Sequence, residues 1–289
     1  MSFGGPYTTL PDFEYHRPKT LDEALALLRE NLDEAKPMAG GIGLVAFMKE
    51  RLMSPAHIVD LKGVEELRSV KNVPGEGLWI GAAVTLAELL EEGKLGREHA
   101  VLREAVARIA DPMIRRRATL VGNLCEAIPW VDTPPVLIAM DASVEIVGGE
   151  GKRTVPVSSF IKGPVDVDLD PTEIVTAVVI PDVKARVGAF EKFTSGSEFS
   201  LASVAIVVSG QGKSRSVRAV YGAVNSTPIR SAEVEDQIKD GITLGTIRKA
   251  GQVASEKVEC VDDVLASAAY RKHLVKVITT KALGRMMER

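Results

Sequence analysis

Leu21, Ala24, Leu25, Leu27 and Leu28 recur at helical spacing with polar residues between them. The pattern predicts an amphipathic helix of about three turns. Thr20-Leu21-Asp22-Glu23 reads as a capping box at its start, the Thr20 hydroxyl serving the N3 amide while Glu23 reaches back. A short extended piece, Ala35 to Met38, leads into Ala39-Gly40-Gly41-Ile42-Gly43. The apolar run Leu44, Val45, Phe47, Met48 then predicts a second helix that stops before Pro55, and His57 to Leu61 reads as a strand. Residues 20–61 are thus a helix, strand, helix, strand unit of α/β character.

Leu78 to Val84 alternates as a strand does, and Thr85-Leu86-Ala87-Glu88 is a second capping box. A longer helix is expected through Val101, Leu102, Ala105, Val106 and Ile109, closed by Asp111-Pro112. Arg117 to Pro135 reads as a loop marked by glycine and proline. Val144–Val147 and Arg153–Val157 flank Gly148-Gly149-Glu150-Gly151, a hairpin signal. Beyond Asp170-Pro171 four strand candidates follow in series: Ile174–Ile180, Gly188–Phe193, Ser203–Val208 and Val217–Val224. Three helical patterns begin near Ser231, Leu244 and Ser267. Strands followed by helices predict an α+β module, an antiparallel sheet with helices on one face. The change of character places a domain boundary near residue 175.

Composition narrows the function class. The chain has 289 residues, 45% apolar and 26% charged, with a net charge of -3 and no dominant basic face, which argues against a nucleic-acid partner. No apolar run approaches the roughly 18–20 residues that span a bilayer. The N-terminus lacks a charged segment followed by an apolar one, so a cytoplasmic protein is expected. Cys125 and Cys260, the two cysteines, cannot build a disulfide framework or a four-thiolate cluster.

The glycine stretch carries the first candidate chemistry. Glycines permit positive φ and close backbone approach, and free N–H groups at the start of the next helix make an anion cradle. Gly41-Ile42-Gly43-Leu44-Val45-Ala46 also fits a Rossmann fingerprint, with Asp60 about 20 residues on. Against that reading, Pro37 removes a ladder donor from the preceding strand and makes it a poor central one. A purely structural turn is the bland alternative. The second candidate is Thr119-Leu120-Val121-Gly122-Asn123, which offers a hydroxyl, a bare backbone position and a carboxamide. Its bland alternative is a tight connection that caps itself. Arg115, Arg116 and Arg117 suit an anion or a solvated helix end. Asp132 suits a ribose hydroxyl or a helix cap. His16, His57, His99 and His273 show no metal spacing, and no nucleophile elbow, Walker motif or paired-carboxylate motif is present. Such a chain suits a cofactor that supplies the reactive ring. A free-standing flavin- or NAD-dependent oxidoreductase and a non-catalytic nucleotide-binding module remain open on these residues alone.

With both loops in place, the chain resembles the FAD-binding medium subunits of the molybdenum hydroxylases, the family that includes carbon monoxide dehydrogenase and the flavin module of xanthine dehydrogenase. The likeness runs from Phe13-Glu14-Tyr15-His16-Arg17-Pro18 through the glycine loop and Val59-Asp60-Leu61. It continues through Asp111-Pro112-Met113-Ile114-Arg115, Thr119 to Leu124 and Asp132-Thr133-Pro134-Pro135. It ends in Phe190-Glu191-Lys192, Thr227-Pro228-Ile229-Arg230 and Ala269-Tyr270-Arg271. The resemblance implies an FAD-binding domain of the vanillyl-alcohol-oxidase (PCMH) type over residues 1–175, in lobes of about 1–61 and 62–175. A smaller α+β C-terminal domain, 176–289, would follow.

The same resemblance implies that Ala39, Gly40, Gly41, Ile42 and Gly43 wrap the pyrophosphate of non-covalent FAD. Thr119, Leu120, Val121, Gly122 and Asn123 would complete the cradle, with Asp132 and Lys192 also in reach of the flavin nucleotide. No catalytic side chain and no metal in this chain are implied. Partners would be a large molybdopterin subunit and a small subunit with 2Fe-2S clusters, whose electrons pass through FAD to an external acceptor. Three departures stand out. Gly43 replaces a hydroxyl-bearing residue, Val121 replaces a glycine, and Thr194-Ser195-Gly196-Ser197 lacks the basic residues usual after the Lys192 position. The subgroup with an extra iron–sulfur cluster in this subunit, resembling hydroxybenzoyl-CoA reductase, is excluded because two cysteines cannot ligate it.

Overall fold

A computed structural model describes residues 9–183, 185–194, 199–210 and 215–288; the Ser195–Ser197 part of the third departure lies outside them. The chain opens with β1 (Glu14–His16), α1 (Leu21–Asn31), β2 (Ala35–Met38), α2 (Ile42–Lys49) and β3 (His57–Asp60). The strands form a parallel sheet in the order β1-β3-β2, so Pro37 sits in an edge strand, where proline is tolerated. Thr20 caps α1 by accepting from the Glu23 amide, but the Glu23 carboxylate takes the Lys19 amide at 2.7 Å. The reciprocal half of the capping box is therefore displaced by one residue.

Next come β4 (Val70–Val73), β5 (Gly77–Gly81), α3 (Leu86–Leu89), α4 (Ala100–Ala107), α5 (Pro112–Arg115), α6 (Leu120–Glu126) and α7 (Thr133–Ala139). The hairpin β6 (Ser143–Gly148) and β7 (Gly151–Pro156) turns through Gly149-Glu150 as its glycines predict. After α8 (Val157–Phe160), the short pair β8 (Ile161–Gly163) and β9 (Asp166–Val167) leads to β10 (Ile174–Ile180). The second sheet is antiparallel, in the order β4-β5-β10-β6-β7.

Four expectations change here. The long helix is broken between α3 and α4. Asp111 caps α5, with Pro112 in its first turn, so Asp111-Pro112 opens a helix instead of ending one. The expected loop from Arg117 to Pro135 contains α6 and the start of α7. Most consequentially, Ile174–Ile180 does not belong with the C-terminal strands. It is the centre of the second sheet, which a boundary at residue 175 would cut.

β11 (Val187–Thr194), β12 (Ser200–Ser209), β13 (Ser216–Gly222) and β14 (Ile229–Arg230) form the C-terminal antiparallel sheet. α9 (Ala232–Ile238), α10 (Leu244–Lys257) and α11 (Ala268–Met287) follow, each capped by the hydroxyl before it, from Ser231, Thr243 and Ser267. Ala202, Val204, Ile206 and Val208 of β12 pack with α10 and α11. The alternate Ala205 and Val207 join the core of the first region with Leu102, Val106 and Val136. A strand buried on both faces reads as a continuous apolar run, which is how β12 appears in the sequence. The two regions therefore share a packed face.

Candidate flavin site

The glycine loop lies at the end of an edge strand and the start of a helix. Gly41 caps α2 in the left-handed region, φ +79°, a conformation glycine adopts at no steric cost. The first α2 hydrogen bond runs from the Val45 amide to the Gly41 carbonyl at 3.0 Å, so the amides of Ile42, Gly43 and Leu44 have no partner within the helix. A Cβ on Gly40 would sit 2.1 Å from the Arg117 carbonyl oxygen. Bare backbone is thus what lets the first lobe press against the second.

The second element reaches the same place by a different local route. Thr119 caps α6, its hydroxyl accepting from the Gly122 amide at 2.9 Å, so Thr119 to Asn123 is a helix start and not a free loop. Asn123 accepts from the Thr133 hydroxyl at 2.6 Å, which fixes its carboxamide oxygen and links α6 to α7. Leu120 and Val121 bury their side chains in the core, at 0% and 4% exposure. The branched Val121 therefore points away from any ligand, and only its backbone faces the helix start.

Both elements line one cavity of about 620 Å³, within the range of small-molecule and cofactor sites. Ala39, Gly40, Gly41, Ile42 and Gly43 form one wall; Thr119, Gly122 and Asn123 form another, with Asp132 farther along. Lys192 is not in the lining. It donates to Asp132 at 2.5 Å, and Ser200 donates to the other carboxylate oxygen at 2.7 Å. Burial raises the Asp132 pKa although Lys192 beside it works in the opposite direction. Asp132 spends its side chain on this buried pair and not on capping α7. Arg115 is committed to the Ile109 and Ala110 carbonyls, and Arg116 and Arg117 are exposed. No arginine is among the described residues that line the cavity.

Four residues that the pattern reading passes over also shape the site. Lys62 donates to the Ala39 carbonyl at 3.1 Å and pairs with Asp60 at 2.7 Å, holding the glycine loop to β3. Asp60 is 1% exposed and also accepts from the Tyr15 hydroxyl. The acid that a Rossmann fingerprint needs for a ribose is therefore already occupied. Glu126 lies over Gly43, where a Cβ would meet its carboxyl carbon at 2.6 Å, and burial pushes its pKa up. Its spacing from Asn123, three residues along one helix face, was a usable signal. Trp130 and Phe199 meet edge to face at 5.7 Å on the cavity wall, Phe199 coming from the C-terminal region. Cys125, also in the lining, has its thiol pushed up to about 12 by burial and is no nucleophile at neutral pH.

Residues 11–183 match the family described as the FAD binding domain in molybdopterin dehydrogenase, and residues 191–286 match the CO dehydrogenase flavoprotein C-terminal domain. The chain belongs to the FAD-binding medium-subunit family of the molybdenum hydroxylases. Among curated relatives, it is 32% identical to the carbon monoxide dehydrogenase medium chain of Afipia carboxidovorans, over 96% of this chain and 97% of that one. It is 30% identical to the glyceraldehyde dehydrogenase medium chain of Sulfolobus acidocaldarius, over 94% and 97%. Among solved structures, reconstituted CO dehydrogenase from Oligotropha carboxidovorans superposes with a TM-score of 0.89 at 29% identity, covering 97% of this chain and all of the matched one (100%). The medium-subunit fold is thus retained from β1 to α11, and no described helix is long and apolar enough to cross a membrane.

Proposed function

We propose that this medium subunit holds FAD non-covalently between the glycine loop and the start of α6, and that it relays electrons within a molybdenum hydroxylase complex. The observation that carries the reading is the convergence of Ala39–Gly43 and Thr119–Asn123, far apart in sequence, on one cavity. The donor set fits a flavin dinucleotide. Free α2 amides and the α2 N-terminal dipole suit a pyrophosphate, and Gly122 leaves room for it. Ile42 and Gly43 would contribute backbone donors, as would Leu120 and Val121. The Asn123 carboxamide nitrogen would supply a further donor. Asp132, held by Lys192, would orient a polar edge of the flavin nucleotide.

When bound, FAD accepts electrons singly or in pairs and releases them to a second carrier. The chain's own residues bind and orient it; none is required as a general base. Lys62 would keep the Ala39 carbonyl turned away from the phosphates by engaging it. Trp130 and Phe199 would exclude water from the apolar wall. We assign the partners by family: a molybdopterin-binding large subunit, a small subunit with 2Fe-2S clusters, and an external electron acceptor. Cys125 and Cys260 are both unpaired, in keeping with a reducing, cytoplasmic setting. The region through β10 would be the FAD-binding domain, and β11 onward the C-terminal domain.

The test is the visible spectrum of the purified chain. Flavin absorption that bleaches on adding the complex's substrate only in the presence of both partner chains supports the relay. A colourless chain that takes up NAD and refuses FAD overturns it.

A further inference from the structure

A separate cluster sits at the outer edge of the first sheet, outside the cavity lining. β1 runs parallel to β3 with Glu14 opposite His57, and side chains alternate along each strand. Glu14, His16 and His57 therefore project from one face. His16 Nε2 lies 3.0 Å from His57 Nδ1, and the Glu14 carboxylate lies 3.9 and 3.7 Å from those same two nitrogens. All three donors fall within 4.8 Å of one another. The two imidazoles meet nitrogen to nitrogen, with centroids 5.3 Å apart and planes 30° apart. Both histidines are half-buried, whereas Glu14 is 75% exposed, so the group is held on two sides and open on the third.

We propose that Glu14, His16 and His57 form a site for a divalent cation of the zinc class. A tetrahedral ion at 2.0–2.1 Å from its ligands keeps them about 3.3 Å apart. The imidazole pair need open by about 0.3 Å and tilt so that both lone pairs converge off the line between them, and the exposed Glu14 close in by about half an ångström. Two imidazoles with one carboxylate suit zinc, and a fourth position stays open to water. In the metal-free chain one imidazole N–H donates to the other ring nitrogen. Binding moves that proton, through solvent, to the second nitrogen of the same ring, freeing both facing lone pairs without a change in net protonation. β1 pairs through three residues at a sheet edge, so an ion bridging it to β3 would brace the weakest strand of the sheet.

The experiment uses the full chain without a tag, stripped with EDTA and dialysed. Zinc is titrated against a chromophoric chelator. The expected result is one zinc per chain, with affinity lowered about tenfold or more by His16→Ala and by His57→Ala, and several-fold by Glu14→Gln. His57→Gln, which keeps a hydrogen-bonding side chain, guards against simple loss of fold. Hydrogen exchange at residues 14–16 and 57–59 should slow on zinc addition in the wild type and stay unchanged in the variants. X-ray absorption should show nitrogen and oxygen ligands. No stoichiometric uptake, sulfur ligation, or equal affinity in a folded His16→Ala/His57→Gln double variant would overturn the site.

Discussion

A methyl group placed on Gly122 would meet only its own cap hydroxyl, Thr119 Oγ1 at 2.9 Å, whereas one on Gly40 would run into the Arg117 carbonyl. Three of the cradle glycines therefore serve different ends. Gly40 permits the approach of two lobes, Gly41 permits a left-handed cap, and Gly122 keeps space open in the cavity. Gly122→Ala separates ligand binding from folding: helix propensity gains what a disturbed cap loses, and stability should change by no more than about 1 kcal/mol. The flavin-to-protein ratio should fall sharply while circular dichroism stays the same; undiminished flavin retention would remove Gly122 from the site. Asp60 allows a second prediction at this scale. Its burial works to raise the pKa, but hydrogen bonds from Lys62 and Tyr15 outweigh burial and hold the carboxyl below its ordinary value. A depressed folded pKa contributes stability above the unfolded value, about 3.9, and loses it as pH falls through the folded one. Asp60→Asn should therefore flatten the acid limb of a plot of denaturation midpoint against pH. A limb identical to that of the wild type would contradict this assignment.

At the scale of elements, β11, α11 and the end of α4 meet on one buried acid. Glu191 is 2% exposed and faces Arg285 at 2.5 Å, Lys281 at 3.1 Å and Arg108 at 3.5 Å. Arg108 also donates to the carbonyls of Phe190 and Lys192, and Arg285 pairs with Glu104 on α4. Breaking a buried ion pair costs about 3–5 kcal/mol, but these cations are 31–62% exposed and regain water. Glu191→Ala should then cost about 2–3 kcal/mol in urea unfolding, and Glu191→Gln less; no loss from either would mean the elements dock by apolar packing alone. The sequence discloses the local half of such an arrangement. The hydroxyl caps at Thr20 and Thr85, the Gly149-Glu150 hairpin and the glycine loop were readable because turn and cap chemistry is written in neighbouring residues. The position of β10 was not, since an apolar run shows that a strand is buried and not which sheet it joins. α6 was read as loop because its Thr119 cap and Gly122 resemble turn residues. Trp130 and Phe199 belong to the cavity wall, and Lys62 to the hold on the glycine loop, only through tertiary approach, which periodicity does not record.

For the whole molecule, the cavity is assembled from every part of the chain. The glycine loop comes from the first lobe, α6 from the second, and Phe199 from the C-terminal region, with Lys192 of the same region behind Asp132. A ligand that binds such a site selects the fully folded chain over any partly folded one, so its binding energy adds to global stability. At free FAD of 100 times its dissociation constant, the gain is about 2.7 kcal/mol. For a chain of this size each kcal/mol moves the midpoint by roughly 2–4 °C, so Tm should rise by about 5–10 °C. Differential scanning calorimetry on flavin-stripped and flavin-loaded protein checks both magnitude and shape. One transition should move as a unit, because the face shared by β12, α4 and α7 leaves the C-terminal sheet without an independent core on that side. If the thermogram splits and FAD shifts only the component that lacks β11 to α11, then Lys192 and Phe199 lie outside the binding unit. The flavin would in that case be held by the first two lobes alone.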